Sequence, residues 1–137
     1  MDVRFHRSKR IRHSGKKAKH RVFDACVVAC QALRLHPFYG DAIPGFHELR
    51  KMRRRVPGYN VGKRDGYRLI YRAHEMDQAI HIEFLETYAK GDCADLTHAA
   101  YKVLAGEAEA IIAQVNSHDE KARFSGGPLV RRLRTFG

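Results

Sequence analysis

Apolar and polar residues alternate between positions 58 and 96 in a pattern that predicts three successive β-strands, over 59–64, 67–72 and 79–86. Asp65 and Gly66 separate the first two strands, and this pair favours a two-residue type I′ hairpin turn because both residues tolerate a positive φ. For the third strand to share its apolar face with the second, the turn between them must hold an even number of residues, most simply 75–78. An antiparallel sheet is therefore expected here.

The predicted hairpin turn determines which side chains share a face of this sheet. It places Lys63 opposite Arg68, on the same open face as Arg72. The other face, which is expected to pack on helices, carries Tyr67, Leu69 and Tyr71. Two opposed cations destabilise a strand pair unless an anion lies between them, so the register favours a phosphate site; alternatively, both long side chains extend into solvent. Glu83 is expected to lie near enough to Arg68 and Arg72 to neutralise them.

Spacings of three and four residues predict helices before and after these strands. The first is expected from about Ser14, a candidate N-cap, to Leu35, because Pro37 cannot continue it. Its apolar face carries Phe23, Cys26, Val27, Cys30 and Leu33. The last helix is expected after Asp95 or Thr97, and its apolar face, which packs on the sheet or on a second copy, carries Leu104, Ala108, Ile111 and Val115.

Two shorter patterns complete the predicted order of elements. Residues 3–6 alternate as a short first strand, and 46–52 are expected to form one or two helical turns because Phe46, Leu49 and Met52 are three residues apart. The predicted fold class is α+β: a small antiparallel-rich sheet, made of three consecutive strands and an N-terminal strand, with helices packed on one face.

The length and composition predict a single domain. A chain of 137 residues with 44% hydrophobic residues is large enough for one core. We expect the domain over 1–116, including a basic segment at 1–21, and a basic flexible tail over 117–137. No apolar run is near the roughly 18 residues of a membrane span, and no signal sequence is recognisable, which predicts no membrane partner and a cytoplasmic location.

The three cysteines are expected to be reduced thiols. Cys26 and Cys30 are one helical turn apart and Cys93 follows the strands, so the chain has no paired CxxC motif to form a zinc site. We therefore expect buried thiols and no metal ion.

The net charge of +11, from 26 Lys and Arg against 15 Asp and Glu, indicates a polyanionic partner. Eight of the basic residues fall within 45–68, on predicted ordered elements, which favours nucleic acid as that partner. For the basic residues at the two termini, contact with nucleic acid is as consistent with the sequence as the alternative that they only maintain solubility or form disordered arms.

Three segments, taken together, carry a family resemblance. They are GYRLIY at 66–71, the following strand at 80–85, and YAKGD at 88–92 with Asp95, Leu96 and Thr97 after it. In this order they resemble the RelE/ParE superfamily, the toxins of bacterial type II toxin–antitoxin modules. The last segment is similar to the HigB-like branch, in which YAK and an acidic DL(T/S) precede the final helix. The resemblance covers roughly residues 45–104.

This resemblance implies a fold, an activity and two partners. The family has a small sheet with helices on one face and a concave basic face, and RelE-like members cleave mRNA on the ribosome. The chain is accordingly expected to be a metal-independent endoribonuclease that inhibits translation and uses no cofactor. A cognate antitoxin would cover the basic face with an acidic or amphipathic segment.

The resemblance also suggests roles for individual residues. Metal-free RNA cleavage, in which the 2′-hydroxyl attacks the adjacent phosphate, needs a proton acceptor, a proton donor and cations that stabilise the developing charge. Arg68 matches the strand arginine that holds the phosphate, and Lys90 matches the basic residue that stabilises the transition state. Lys63 is a candidate general base, and Tyr88 is a candidate for stacking on a base. Further RNA contacts are expected from Arg53, Arg54, Arg55, Arg64, Arg72, His47 and His81. The two histidines are also candidates for proton transfer.

One departure from the family keeps two alternatives open. Asn60 stands where many relatives carry a basic strand residue. The chain is therefore also consistent with a non-catalytic, ParE-like toxin that inhibits a protein target such as DNA gyrase. The other alternative is a basic nucleic-acid-binding module that does not cleave.

Overall fold

The computed structural model describes the backbone of residues 1–8, 16–54, 67–89 and 95–124, with the side chains of 1–8, 26–53, 67–88 and 95–117. The elements within these ranges follow one another as β1 (Asp2–Arg7), α1 (Lys16–Leu35), β2 (Asp41–Ile43), β3 (Phe46–Arg54), β4 (Tyr67–Met76), β5 (Ala79–Ala89) and α2 (His98–Phe124). The fold is α+β, as the sequence predicts.

The five strands form one mixed sheet in the order β1-β5-β4-β3-β2. β1 is parallel to β5, and the other neighbouring pairs are antiparallel. The predicted N-terminal strand is therefore confirmed. Asp77 and Gln78 connect β4 to β5, both with positive φ, so the turn has the predicted even number of residues but is shorter than 75–78. Consequently Arg72 lies opposite Glu83.

One face of the sheet packs against α1. The helix contributes Cys26, Ala29, Cys30 and Leu33, and the sheet contributes Phe5, Met52, Leu69, Tyr71, Ala73, Ile82 and Phe84. These helix and strand residues include most of those that the spacing predicts for this core. Burial raises the pKa of Cys30 to about 12, and burial also raises the pKa of Cys26, so both thiols are protonated and unreactive at neutral pH.

The other face of the sheet packs against α2, so the prediction that helices cover only one face is wrong. Here Leu49, Ile70 and Leu85 contact the helix residues Tyr101, Leu104 and Ala108. The reason is visible at two positions where adjacent strand residues are both fully buried, namely Leu69 with Ile70 and Phe84 with Leu85. Arg68 and Arg72, expected on an open face, are each only 4% exposed.

Residues 46–52 belong to β3, and the prediction of helical turns there is wrong. The three-residue spacing of Leu49 and Met52 places these side chains on opposite faces of a strand, where Met52 enters the core under α1 and Leu49 the core under α2. A strand that buries one residue on each face can thus have a spacing that is also typical of a helix.

β3 also occupies the position next to β4 that the hairpin prediction assigns to 59–64. Arg68 lies opposite Arg53 on one side and opposite Tyr88 on the other, so the predicted pairing of Lys63 with Arg68 is wrong. Lys63 and the predicted Asp65-Gly66 turn themselves lie outside the described residues. The physical reason is that a strand has two hydrogen-bonding edges, and those of β4 are paired with β3 and with β5.

The helix boundaries follow local sequence signals. α1 ends at Leu35, as Pro37 predicts, and α2 begins after Thr97, whose Oγ1 accepts a hydrogen bond from the Ala100 N–H at 3.1 Å. α2 continues beyond residue 116 to Phe124. Within the described part of the chain, no helix combines the length and the apolar character that crossing a membrane requires.

Alanine substitutions at two glycines test how closely Gly40 packs against Tyr71 and Lys51. The Gly40 N–H donates a hydrogen bond to the Tyr71 hydroxyl at 2.7 Å, and a Cβ at Gly40 would lie 2.9 Å from that hydroxyl and 2.9 Å from the Lys51 carbonyl oxygen. We expect Gly40→Ala to lower the free energy of unfolding by roughly 1–3 kcal/mol, because the backbone of β3 would have to shift. Denaturant unfolding followed by circular dichroism measures this change.

Gly106→Ala is the control, because it makes the same substitution at a position where the added methyl group meets no neighbouring atom. No atom lies within 4 Å of a Cβ at Gly106, within α2, so alanine should raise the free energy of unfolding by about 0.5–1 kcal/mol through its higher helix propensity. A Gly40→Ala variant as stable as Gly106→Ala would contradict the close approach at Gly40.

Candidate functional site

Three of the predicted site residues lie next to one another across the end of the sheet. Arg53 of β3 is opposite Arg68 of β4, which is opposite Tyr88 of β5. Directly opposed residues of antiparallel strands project from the same face, so all three share the face that α2 covers. Arg53 is exposed, Tyr88 is half-buried and Arg68 is buried. We call Arg53, Arg68 and Tyr88 the sheet-end row.

Three strand ends lie together at this end of the sheet. Arg54 is opposite Tyr67, and Tyr67 is opposite Ala89, so β3 ends, β4 begins and β5 ends together. The predicted site residues that lie outside the described part of the chain are Arg55, Lys63, Arg64 and Lys90, together with Asn60.

A polar contact next to the sheet-end row joins β3 to the start of α2. Asp95 Oδ1 accepts hydrogen bonds from the Tyr101 hydroxyl at 2.6 Å and from Lys51 Nζ at 3.3 Å. The Tyr101 hydrogen bond, with smaller contributions from the Leu96 N–H and Lys51, lowers the pKa of Asp95. Burial, the Asp95 hydrogen bond and neighbouring Tyr88 raise the pKa of Tyr101. Tyr88, in the row, packs against the apolar core that contains Tyr101.

Further along the same face, Arg72 is held by carboxylates. Its Nε donates to Glu83 Oε1 at 2.6 Å and its Nη1 to Glu109 Oε1 of α2 at 2.6 Å, while Nη2 donates to the Ala108 carbonyl oxygen at 3.3 Å. Burial disfavours the guanidinium charge, but Glu83 and Glu109 outweigh it and raise the pKa of Arg72. The predicted ion pair between Glu83 and Arg72 is confirmed. Arg72, a predicted RNA contact, is therefore neutralised inside the fold.

Three histidines surround this ion pair. His74 Nε2 lies 2.9 and 3.0 Å from the two carboxylate oxygens of Glu83. His6 Nε2 lies 2.9 Å from His81 Nδ1, and the two rings are stacked with centroids 5.2 Å apart. Burial, reinforced by neighbouring cations, lowers the pKa of His6 to about 3, and burial likewise lowers the pKa of His81. We call Arg72, Glu83, His74, His6 and His81 the buried polar cluster.

The structure thus separates the predicted site residues into two groups. Arg53, Arg68 and Tyr88 form the sheet-end row, whereas Arg72 and His81 lie in the buried polar cluster. His47 is exposed near the start of β3, outside both groups. The side chain of Arg54 is not among those described.

Sequence reasoning did not find His6, His74 and Glu109 as members of the buried polar cluster. Their positions depend on the parallel pairing of β1 with β5 and on α2 covering the second face, and neither leaves a local pattern. The one available signal was Glu83, a carboxylate between the buried Ile82 and Phe84. Among the described side chains, no group of three His, Cys, Asp or Glu residues is arranged to hold a metal ion.

Removing the charge of Glu83 tests whether the buried polar cluster stabilises the fold. Glu83 is fully buried, so Glu83→Gln should lower the free energy of unfolding by about 3–5 kcal/mol because the Arg72 guanidinium would keep its charge without its buried partner. Chemical denaturation measures this loss, with Glu75→Gln, an exposed position on the neighbouring strand β4, as the control.

A double variant separates the charge effect from a packing effect. Arg72→Met with Glu83→Leu removes both charges, so it should recover a large part of the lost stability. Equal stability of Glu83→Gln and Glu75→Gln would show that the ion pair contributes little.

The buried histidines predict an acid-sensitive fold. His6 stays neutral in the folded state down to a pH of about 3, whereas in the unfolded chain it takes up its proton near its ordinary pKa of 6.5. The unfolded state therefore binds more protons between these values, and stability is lost as the pH falls through this window. We expect a slope of up to about 1.4 kcal/mol per pH unit from His6, measured by denaturant unfolding at several pH values.

His6→Gln should flatten this slope, and His36→Gln, at an exposed position, should leave it unchanged. An unaltered slope in His6→Gln would assign the acid sensitivity to other groups.

The sequence was also compared with known proteins. No protein-family model matches the chain, and neither does any curated protein.

Proposed function

We propose that this protein binds single-stranded RNA at the sheet-end row and cleaves it without a metal ion, as the ribosome-dependent mRNA endoribonuclease of a type II toxin–antitoxin module. The observation that carries this proposal is the convergence of Arg53, Arg68 and Tyr88 from three strands into one row. These three residues were predicted as site residues from the sequence alone. The strand pairing that brings them together, with Arg53 opposite Arg68, differs from the predicted pairing of Lys63 with Arg68. Their proximity is therefore independent support.

The row offers the groups that phosphate and base recognition require. Arg53 is exposed and opposes a second arginine, and such a pair favours an anion between or beside the two charges. Tyr88 follows on the next strand, with a ring that can stack on an unpaired base. Arg68 is buried, so its part in this proposal is to strengthen the positive field behind Arg53.

Cleavage would use Lys63 and Lys90, which lie outside the described residues. The 2′-hydroxyl loses its proton to a base and attacks the phosphorus, and the 5′-oxygen leaves with a proton from an acid. Lys63 remains the candidate base, and Lys90 the candidate cation for the charge that develops on the phosphate oxygens. An antitoxin that covers these cations would need an acidic segment, since the chain carries a net charge of +11.

A second candidate function is nucleic-acid binding without cleavage. What favours it is the neutralisation of Arg72 by Glu83 and Glu109, together with the burial of Arg68. Two of the predicted cations are thereby withdrawn from solvent, whereas Arg53 remains exposed. An exposed cation with an aromatic neighbour is sufficient for binding, but cleavage also needs an acid and a base.

Induction in a bacterial host distinguishes the two functions. The wild-type protein should stop growth and produce discrete cuts in mRNA, read by primer extension. Arg53→Ala with Lys90→Ala should reduce cutting by roughly 100-fold or more, because two cations near the scissile phosphate are lost. Lys102→Ala, at an exposed position on α2, is the control and should cut like the wild type.

Other outcomes assign the function differently. Uncut transcripts and normal growth with the wild-type protein would refute the endoribonuclease. If RNA binding then persists and Arg53→Ala lowers the slope of log K against log salt by about 1, binding alone is the function. DNA damage with intact mRNA would instead favour the ParE-like alternative. Failure to co-purify with the product of an adjacent reading frame would count against a toxin of either kind.

A further inference from the structure

A cavity beside the sheet-end row has no role in the function proposed above. It lies between the β2–β3 edge and the start of α2, with a volume of about 400 Å³. Its lining includes three aromatic or imidazole rings and three charged groups: Phe46, His98, Tyr101, Asp41, Lys51 and Asp95. This volume is within the range of small-molecule sites, and the combination of rings with a few charges is typical of them.

The rings form a wall on which a flat molecule can stack. The Phe46 ring centroid lies 5.0 Å from that of His98 and 6.0 Å from that of Tyr101, with interplanar angles of 48° and 45°. Tilted neighbours hold the Phe46 ring in one orientation. Stacking on aromatic and imidazole faces is the usual way in which proteins hold an unpaired base.

The charged groups favour certain bases over others. Asp41 is exposed and supplies a carboxylate to the cavity, and the Asp95 carboxylate is oriented by Tyr101 and Lys51. A carboxylate accepts hydrogen bonds from exocyclic amino groups, as on cytosine, adenine or guanine. Uracil has no exocyclic amino group: it can offer a carboxylate only its N3–H, and the two flanking carbonyl oxygens repel the carboxylate. The carboxylates of Asp41 and Asp95 therefore favour a base that bears an amino group.

The cavity lies next to the sheet-end row. Lys51 lines the cavity and lies two positions from Arg53 on β3, on the same face, a separation of about 7 Å along a strand. On the other side Tyr101 lines the cavity and belongs to the apolar core against which Tyr88 packs. A nucleotide whose phosphate lies at Arg53 thus has a ring-lined cavity next to it.

We propose that this cavity binds a nucleobase carrying an exocyclic amino group, from the nucleotide adjoining the phosphate at the sheet-end row. The position of that phosphate rests on the RNA function proposed above. Binding of a nucleotide in the cavity does not require cleavage, so the two proposals can fail separately. The cavity would then give the RNA site a preference for cytosine, adenine or guanine over uracil.

Nucleotide titrations of the full chain, followed by NMR, test this proposal. The probes are the 5′-monophosphates of cytidine, adenosine, guanosine and uridine, with ribose 5-phosphate as the control that has a phosphate and no base. Cytidine or purine monophosphates should shift the Phe46, His98 and Tyr101 ring resonances. Uridine monophosphate should bind at least about 10-fold more weakly, and ribose 5-phosphate should leave these rings unshifted.

Two variants assign the preference to named groups. Asp41→Asn should reduce the discrimination against uridine monophosphate to within about 3-fold, because an amide can donate to its carbonyl oxygens. Phe46→Leu keeps the position apolar but removes the ring, so it should weaken all four nucleotides together. Glu75→Gln, on β4 outside the cavity lining, should behave as the wild type.

Each remaining result has one meaning. Absence of shifts at Phe46, His98 and Tyr101, or equal binding of all four nucleotides, overturns the proposal. If the shifts instead occur at Arg53, Arg68 and Tyr88 only, the cavity is refuted and RNA binding at the row stands. If the cavity binds as expected while mRNA stays uncut in cells, the base-binding cavity stands and the endoribonuclease is refuted.

Discussion

The hydrogen-bonded ion pairs of Arg72 with Glu83 and Glu109 join β4, β5 and α2 at one buried point. Arg72 is on β4, Glu83 is on β5, and Glu109 brings in α2 through a second hydrogen bond to the same guanidinium. His74 contacts Glu83 from the other side. A buried charge left without its partner is costly, so β4, β5 and α2 cannot separate easily from one another. The position of α2 on the sheet, and with it the edge of the cavity at Tyr101, follows from this arrangement.

The two faces of the sheet are therefore stabilised in different ways. Under α1 the contacts are apolar and close-packed, with Cys26, Leu33 and Phe84 almost completely buried. Under α2 a smaller apolar core, around Ile70 and Leu104, lies between the buried polar cluster and the sheet-end row. Charged and hydrogen-bonded groups have stricter geometric requirements than apolar ones. The face under α2, which carries the candidate site, therefore has the more strictly defined side-chain geometry.

Some of this could be predicted from the sequence because the signals are local. Alternation identifies β4 and β5, the three- and four-residue spacing identifies α1 and α2, and Pro37 and Thr97 mark helix ends. The sheet-end row was identified as three separate candidate residues through the family resemblance and the local cluster of basic residues. Their convergence depends on the register of β3, whose residues Phe46, Leu49 and Met52 have the spacing of a helical turn. Because β3 buries Leu49 on one face and Met52 on the other, its apolar residues do not alternate with polar ones.

The parallel pairing of β1 with β5 has a consequence for the order in which the chain acquires its structure. β4 and β5 are joined by two residues and can pair as soon as both have been synthesised, whereas β1 must wait for a partner that begins at Ala79. Closing so long a loop costs entropy that a local hairpin does not. During synthesis β1 therefore leaves the ribosome before its partner strand exists, and it can complete the sheet only after β5 has been made.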